Sequence, residues 1–365
     1  MKTRKLAVAA GIVSLAVIAA ACSSKSSTST GAAGARTNDG VPLTGAGSTF
    51  AAPIYTQWAK DFNGVESGAQ INYQAIGSGG GIDAITKQTA DFGASDAPLQ
   101  PDAMSAMPAD VVQIPTVLGG IAIAYNLPDV TDPLNLDGAT AADIFLGKIT
   151  SWNDPAIATL NPGVTLPNTP IRTAHRSDDS GSTFVFTSYL SSQSAEFKKT
   201  VGADSTVQWP AGAGKDGSDG VAGYLVATEG SVGYISYDYA VSNNLGSAAV
   251  KASDGSFVPP SVDSISAAGA DLKFPIAADT NVLNSATTGA YPIASTTYVI
   301  VYLEQADQAK GQTLVDFLHW GLTTGQDTAG ALNYAPLPSD IATQALAALA
   351  TVTYNGTPIT PSAGA

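Results

Sequence analysis

One cysteine and two histidines are all the thiol and imidazole chemistry that the 365 residues contain. A lone Cys22 excludes an intrachain disulfide. With His175 and His319 it makes no set of ligands for a transition metal, and no metal or cofactor is expected. The same scarcity limits catalysis. His175 lies five positions before Ser180, a spacing that builds no triad, and neither Asp179-Ser180-Gly181 nor Gly77-Ser78-Gly79 completes a Gly-x-Ser-x-Gly elbow. The chain is therefore expected not to be an enzyme. Positive charge is also in short supply: Lys+Arg number 16 against 30 Asp+Glu, a formal net charge of −14. That balance excludes the basic face that nucleic acid requires. A bound anion would have to be held by local dipoles against the global field. Charged residues total only 13%, too few for a disordered acidic tail.

What is present suits a loop-rich globular chain long enough for two domains, with 44% hydrophobic residues, 37 Gly and 21 Pro. The N-terminus has a basic start (Lys2, Arg4, Lys5) and an apolar run, Leu6–Ala21, that is short for a membrane span. Residues 1–21 are expected to be a signal peptide. The pentapeptide Ile18-Ala19-Ala20-Ala21-Cys22 resembles a bacterial lipobox, with Ala where Leu is usual, so Cys22 is the expected site of lipidation. Loss of the leader removes three cations and makes the net charge −17. Residues 22–40 are mostly Ser, Thr, Gly and Ala without apolar period, the composition of an anchored flexible tether.

From Val41 the pattern alternates strands and helices, which predicts α/β layers. Strands are expected at Leu43–Gly47, Gln70–Ala75, Asp91–Ala94, Val111–Pro115, Ile121–Tyr125, Gly233–Ser236 and Tyr298–Tyr302. Ala51–Phe62 places Ile54, Tyr55, Trp58, Ala59 and Phe62 on one helical face, with Pro53 tolerated in the first turn. Further helices are expected at Ile82–Thr89, Ala141–Leu146, Gly220–Val226, Gly311–Gly321 and Asp340–Leu349, with Gly77–Gly81 as a glycine-rich turn.

The chemistry concentrates at Arg172–Phe186, which reads as a strand end, a polar loop and an apolar helix. The first N–H groups of such a helix have no partner and lie at the positive end of its dipole, an arrangement suited to an anion. Ser180, Gly181 and Ser182 add hydroxyls and a close backbone approach, and Arg176 adds a planar cation with paired donors. The tetrapeptide Gly-Ser-Thr-Phe occurs at Gly181–Phe184 and again at Gly47–Phe50, which suggests two jaws closing on one small oxyanion. Gly77–Gly81 is a further phosphate-cradling candidate but lacks both the dinucleotide fingerprint and the Gly-Lys-Ser/Thr of a P-loop. Each feature has a plainer reading: Thr49 as a helix cap, Gly77–Gly81 as a tight turn, Arg176 and Asp178 as a surface ion pair.

Five segments occur in order: Thr44–Phe50, Gly77–Gly81, Asp91–Pro98, Leu146–Trp152 and Arg176–Phe184. With Gly233–Tyr237 and Tyr334–Pro338, they make the chain resemble the phosphate-binding proteins of phosphate-specific ABC importers, over nearly all of Val41–Tyr354. The resemblance implies a two-lobed, class II periplasmic-binding-protein-like α/β fold with two hinge crossings and a ligand cleft. The first lobe would comprise residues 41–118 and 297–365, and the second residues 119–296, with crossings near Leu118–Tyr125 and Tyr291–Thr297. By motif position, phosphate would meet Thr49, the Phe50 backbone, Ser78 and Asp96 from one lobe, and Arg176, Ser180, Gly181 and Ser182 from the other. Ser48 stands where the family often has Ala and Ser182 where it often has Thr; Asp178 would brace Arg176. Asp96 would accept the proton that hydrogen phosphate carries and sulfate lacks, and so reject sulfate. The implied partners are inorganic phosphate, an ABC permease with its ATPase subunits, and the outer face of the cell membrane through Cys22; the protein would act as a monomer and bind no nucleic acid. The alternatives are a binding protein for sulfate or molybdate, a phosphate sensor, and a secreted phosphatase on the same scaffold.

Overall fold

The structure, a computed structural model, describes residues 41–131 and 133–362, all within one compact unit. The expected leader, Cys22 and the tether lie outside the described residues. No helix among the described residues is long and apolar enough to cross a membrane.

The chain begins with β1 (Leu43–Gly47), α1 (Ala52–Val65), β2 (Ile71–Ala75), α2 (Ser78–Thr86), β3 (Phe92–Ser95) and α3 (Pro101–Ala106). Helix α1 forms as its periodicity requires: Ile54, Tyr55, Trp58 and Phe62 are buried, and a proline occupies its first turn. Strand β4 (Val111–Tyr125) then runs for 15 residues where the sequence suggests two strands. After β5 (Asn135–Leu136), α4 (Gly138–Phe145) and α5 (Pro155–Leu160) come β6 (Arg172–Arg176), α6 (Gly181–Gln193) and α7 (Ala195–Thr200). Next are β7 (Ala213–Lys215), α8 (Gly217–Ala227), β8 (Ser231–Ser236) and α9 (Tyr237–Ser242). Short strands β9 (Gly246–Ser247), β10 (Ala249–Lys251) and β11 (Phe257–Val258) lead to α10 (Val262–Ala268). The chain returns through β12 (Ala294–Tyr302), then α11 (Gln308–Leu322), α12 (Ser339–Leu349) and the hairpin β13 (Thr353–Tyr354) and β14 (Thr357–Pro358).

One curled sheet has the order β2-β1-β3-β12-β4-β8-β6-β7, with β9 also on β4. Strand β4 divides it. Val111 to Gly120 pair antiparallel with β12, and Ile121 to Tyr125 pair antiparallel with β8. The partner switch at Gly120–Ile121 gives two lobes that share β4. The register of β4 on β12 shifts between Thr297 and Tyr298, with Thr297 opposite Val117 and Tyr298 opposite Pro115. Thr116 is the extra residue of this bulge, and the proline before it has no N–H to give the ladder.

Each lobe has its own aromatic packing. In the first, Phe62 meets Phe317 and Trp320, and Phe92 meets Phe317 and Tyr73. In the second, Tyr234 stacks on Phe186 at 4.6 Å and lies against Phe145 and Trp209. Rings of this size dominate the buried apolar area and fix the strands that present the loops between the lobes.

Candidate functional site

The loops that follow β1, β3 and β6 meet where the two lobes face each other. Gly47 ends β1 with φ +146°, and a Cβ there would stand 2.0 Å from the Ala94 carbonyl oxygen, so the turn into Ser48 requires glycine. Ser48 is fully buried; its hydroxyl donates to Asp96 Oδ1 and accepts from the Ala51 amide at 3.2 Å. The Tyr73 hydroxyl donates to the Ser48 carbonyl at 2.8 Å. Thr49 is no helix cap: α1 begins at Ala52 with Ala51 before it, and Thr49 Oγ1 reaches across to Ser218. It lies 2.8 Å from Ser218 Oγ and accepts from the Ser218 amide at 3.1 Å. Phe50 is fully buried, its ring edge-on to Tyr334 and its carbonyl accepting from the Tyr334 hydroxyl.

The glycine run at Gly77–Gly81 is not a free-standing turn. Helix α2 starts at Ser78, so these glycines form its first turn, with Gly77 before it at φ +82°. Propensity disfavours glycine in a helix, but close approach selects it here. A Cβ on Gly79 would meet Asp179 Cγ at 2.2 Å, and one on Gly81 would meet Gly47 Cα at 2.5 Å. Ser78 is buried and accepts from the Asp96 amide at 3.3 Å.

From the second lobe, Arg176 ends β6 and is 5% exposed. Its Nε donates to Asp178 Oδ1 at 2.6 Å and its Nη2 donates to Asp178 Oδ2, a paired bridge. Burial alone would raise the Asp178 carboxyl. The Arg176 hydrogen bonds and charge, with the Gly217 amide, outweigh that and hold it below the usual range. Arg176 is buried and Asp178 half-buried, so the pair braces the site and is not the surface ion pair of the plainer reading. Ser180 caps α6, its hydroxyl accepting from the Thr183 amide at 3.2 Å with its proton left to donate. Gly181 is the first residue of α6; a Cβ there would stand 2.6 Å from Ser78 Oγ and 2.8 Å from the Asp96 amide. Ser182, also buried, has Oγ 3.4 Å from Asp96 Oδ2.

All the expected contact residues that lie among the described residues are therefore brought together. Around them converge the N-termini of α2, α6 and α8. Gly181 abuts Ser78, the Gly79 amide donates to the Asp179 carbonyl at 3.1 Å, and the Gly217 amide donates to Asp178 at 3.1 Å. Three helix dipoles present their positive ends to one place, where Arg176 supplies a buried cation. Asp96 is the opposing charge. Burial pushes its carboxyl up to about 6, while the Ser48 and Thr297 hydroxyls, Arg176 and Ser182 pull the other way. Two cavities flank these contacts. One of about 140 Å³ lies beside Asp96, Ser295, Tyr298 and Val282, and one of about 570 Å³ opens past Ser78, Gly181 and Phe184.

Sequence reasoning did not single out Ser218 or Tyr234. The Tyr234 hydroxyl receives the Arg176 amide at 3.0 Å and lies 2.7 Å from Thr183 Oγ1, fixing strand to helix. Ser218 carries a visible signal: it follows a glycine at a helix start, as Ser78 and Ser182 do. The histidines stay outside the site. His175 alternates away from Arg176 on β6 and stacks on Trp209 at 5.3 Å. No cluster of three or more His, Cys, Asp or Glu able to hold a metal occurs among the described residues.

Comparison with known proteins gives a concordant result. Residues 24–322 match the model of the PBP superfamily domain. The phosphate-binding protein PstS of Xylella fastidiosa is 42% identical over 307 residues, 83% of this chain and 84% of that protein. PstS of Pasteurella multocida is 40% identical over 310 residues, 84% of this chain and 89% of that one. Among solved structures, a high affinity periplasmic phosphate-binding protein, PfluDING, bound with phosphate at pH 8.5, has a TM-score of 0.67 at 21% identity. That likeness covers 84% of this chain and 93% of that one, and it bears on the fold.

Proposed function

The chain belongs to the PstS family of phosphate-binding proteins, and from that membership we propose that it captures inorganic phosphate between its lobes and delivers it to a phosphate ABC import permease. The observation that carries this reading is the pairing of buried Arg176 with buried Asp96 among three helix N-termini drawn from both lobes. Arg176 and the helix amides suit the anion's charge; Asp96 suits its proton. At neutral pH the Asp96 carboxyl, at about 6, is mostly ionised and accepts a hydrogen bond from a protonated phosphate oxygen. Sulfate has no such hydrogen, and two facing acceptors in a buried site cost roughly 1–3 kcal/mol or more.

The contact set is Thr49, the Phe50 backbone, Ser78, Asp96, Arg176, Ser180, Gly181 and Ser182, with Ser48 and Asp178 in support. Lobe boundaries at residues 41–118 with 297–365, and 119–296, accord with the partner switch of β4 at Gly120–Ile121. Closure by hinge motion about β4 and the approach to β12 would bury the ligand and shape the surface that the permease receives. No step of bond making or breaking is assigned to the chain: it holds the anion and releases it, and the partner ATPase supplies the work. Cys22 would anchor the protein to the outer face of the membrane as a monomer, and a Cys22→Ala variant released from washed membranes is the check.

The deciding experiment is calorimetric titration of the phosphate-free protein with phosphate and then sulfate. One-to-one binding of phosphate without heat from sulfate is expected, and Asp96→Asn should narrow the difference. Equal affinity for both anions would refute the role of Asp96, and absence of phosphate binding would refute the function.

A further inference from the structure

The start of α8 does more than point a dipole at the anion. Asp216, before it, gives no side-chain cap, yet the first two amides of the helix are both held. The Gly217 amide donates to Asp178 Oδ1 at 3.1 Å, on the brace of Arg176, and the Ser218 amide donates to Thr49 Oγ1 at 3.1 Å. These partners satisfy donors that a helix start leaves unpaired. Asp178 belongs to the same lobe as α8, which packs through Val221, Ala222 and Leu225 against Ala174 of β6 and Ile235 of β8. Thr49 belongs to the other lobe, in the turn after β1. Half of this cap is therefore supplied from across the cleft.

Ser218 offers Thr49 more than an amide. Its Oγ lies 2.8 Å from Thr49 Oγ1, and both residues are buried, Ser218 at 1% and Thr49 at 6% exposure. A hydroxyl has one proton to give and two sites that accept. The two hydroxyls bond to each other and the Ser218 amide fills one acceptor site of Thr49, so one of the two hydroxyl protons is left over. If Thr49 gave its proton to Ser218, it would have none for an anion. If Ser218 gives its own, both acceptor sites of Thr49 are filled and the Thr49 proton is free for the anion. A negative charge beside Thr49 favours the second arrangement.

We infer that Ser218 is a positioning residue for phosphate: its amide and its hydroxyl both donate to Thr49 Oγ1 and so commit the Thr49 proton to the anion. The inference rests on the phosphate reading above. Two other serines of the site are oriented in a similar way. The Ser180 hydroxyl accepts from the Thr183 amide at 3.2 Å, and Ser78 Oγ accepts from the Asp96 amide at 3.3 Å, so each has its proton left to donate. Those partners lie within one lobe. The partner of Thr49 comes from the opposite lobe, so Thr49 becomes a one-way donor only when the lobes meet. Closure and the hydrogen bonding of the anion are coupled through this contact.

The test is a double-mutant cycle read by calorimetric titration with inorganic phosphate. Ser218→Ala removes the hydroxyl and keeps the amide, and Ser218→Gly does the same in a helix that already opens on a glycine. Each should bind phosphate about twofold to tenfold more weakly than wild type. Thr49→Val keeps the shape of the side chain without its hydroxyl and should lose about tenfold or more. In the Thr49→Val background neither change at Ser218 should weaken binding further. A disturbance of the fold, or a direct contact of Ser218 with phosphate, would instead weaken binding by the same factor in both backgrounds, and that result overturns the inference. Full affinity in the single Ser218 variants, or in Thr49→Val, overturns it as well while phosphate binding stands. Failure of wild type to bind phosphate overturns the reading beneath it.

Discussion

Both oxygens of the Asp96 carboxylate are met by serines from the same position of the Gly-Ser-Thr-Phe tetrapeptide, Ser48 from one lobe and Ser182 from the other. The two copies are not structural equivalents. Gly47 closes β1 and a turn separates it from α1 at Ala52, whereas Gly181 is itself the first residue of α6. From sequence, Ser48 reads as a harmless replacement for Ala, since a hydroxyl has no signature until its acceptor is known. In the fold it is the largest hydrogen-bonding influence holding Asp96 below the value that burial alone would set. Ser48→Ala should let the Asp96 carboxyl rise above about 6, so that less of it is ionised near neutrality. Hydrogen bonds to charged groups contribute ~1.5–3 kcal/mol, which sets the expected loss of phosphate affinity at pH 7 at about tenfold or more. The affinity profile measured from pH 5.5 to 8.5 should also shift toward alkaline pH. A profile identical to wild type would remove Ser48 from the site's chemistry.

At the scale of elements, the site is where three helices begin, and glycine lets them begin so close together. A methyl group at Gly181 would press on Ser78 and Asp96 of the other lobe. Gly181→Ala should therefore leave each lobe folded but hold the lobes apart. Overpacking of ~1–3 kcal/mol predicts about a tenfold to hundredfold loss of phosphate affinity by titration. A Cβ added at Gly223 in α8 would meet nothing within 4 Å, so Gly223→Ala is the control: affinity unchanged and stability raised by about 0.5–1 kcal/mol. Comparable losses in both variants would show that close approach at Gly181 is not the cause. The same contacts explain which elements were legible in the sequence. Helix α1 and strand β1 carry their pattern in their own residues, and so does the strand-loop-helix at 172–186. The first turn of α2 does not, because Gly79 and Gly81 are selected by Asp179 and Gly47, far away in sequence. Strand β4 reads as two strands because Pro115 and Gly119-Gly120 interrupt its pattern; a bulge at Thr116, beside Pro115, and the packing of Phe50 on Gly119 make it one.

For the whole molecule, the buried carboxyls set a direction for stability against pH. Asp96, at about 6, and Asp238, at about 7, both stand above the ordinary value of 3.8. A carboxyl raised on folding is held by the folded state as a bound proton over the interval between its two values. Stability therefore falls as pH rises through that interval, here from about 4 to 7, and is level above it. Asp178 acts in the opposite sense: its contribution is present above the ordinary carboxylate range and is lost only as pH drops below it. The interval from 4 to 7 thus belongs to Asp96 and Asp238. One pKa unit corresponds to about 1.4 kcal/mol, and relaxation of the lobes reduces the sum to an expected net of roughly 1–3 kcal/mol. Thermal melting of the phosphate-free protein should accordingly come a few degrees higher at pH 5 than at pH 7.5. The net charge of −14 contributes to the same trend by easing self-repulsion in acid, so the double variant Asp96→Asn with Asp238→Asn separates the causes. It keeps nearly all of the acidic surface and lacks both buried titrations. It should melt above wild type at pH 7.5 and show a flatter dependence between pH 5 and 7.5. If the double variant instead follows wild type across that range, the trend is one of surface charge, and the two buried carboxyls open to water before the chain unfolds.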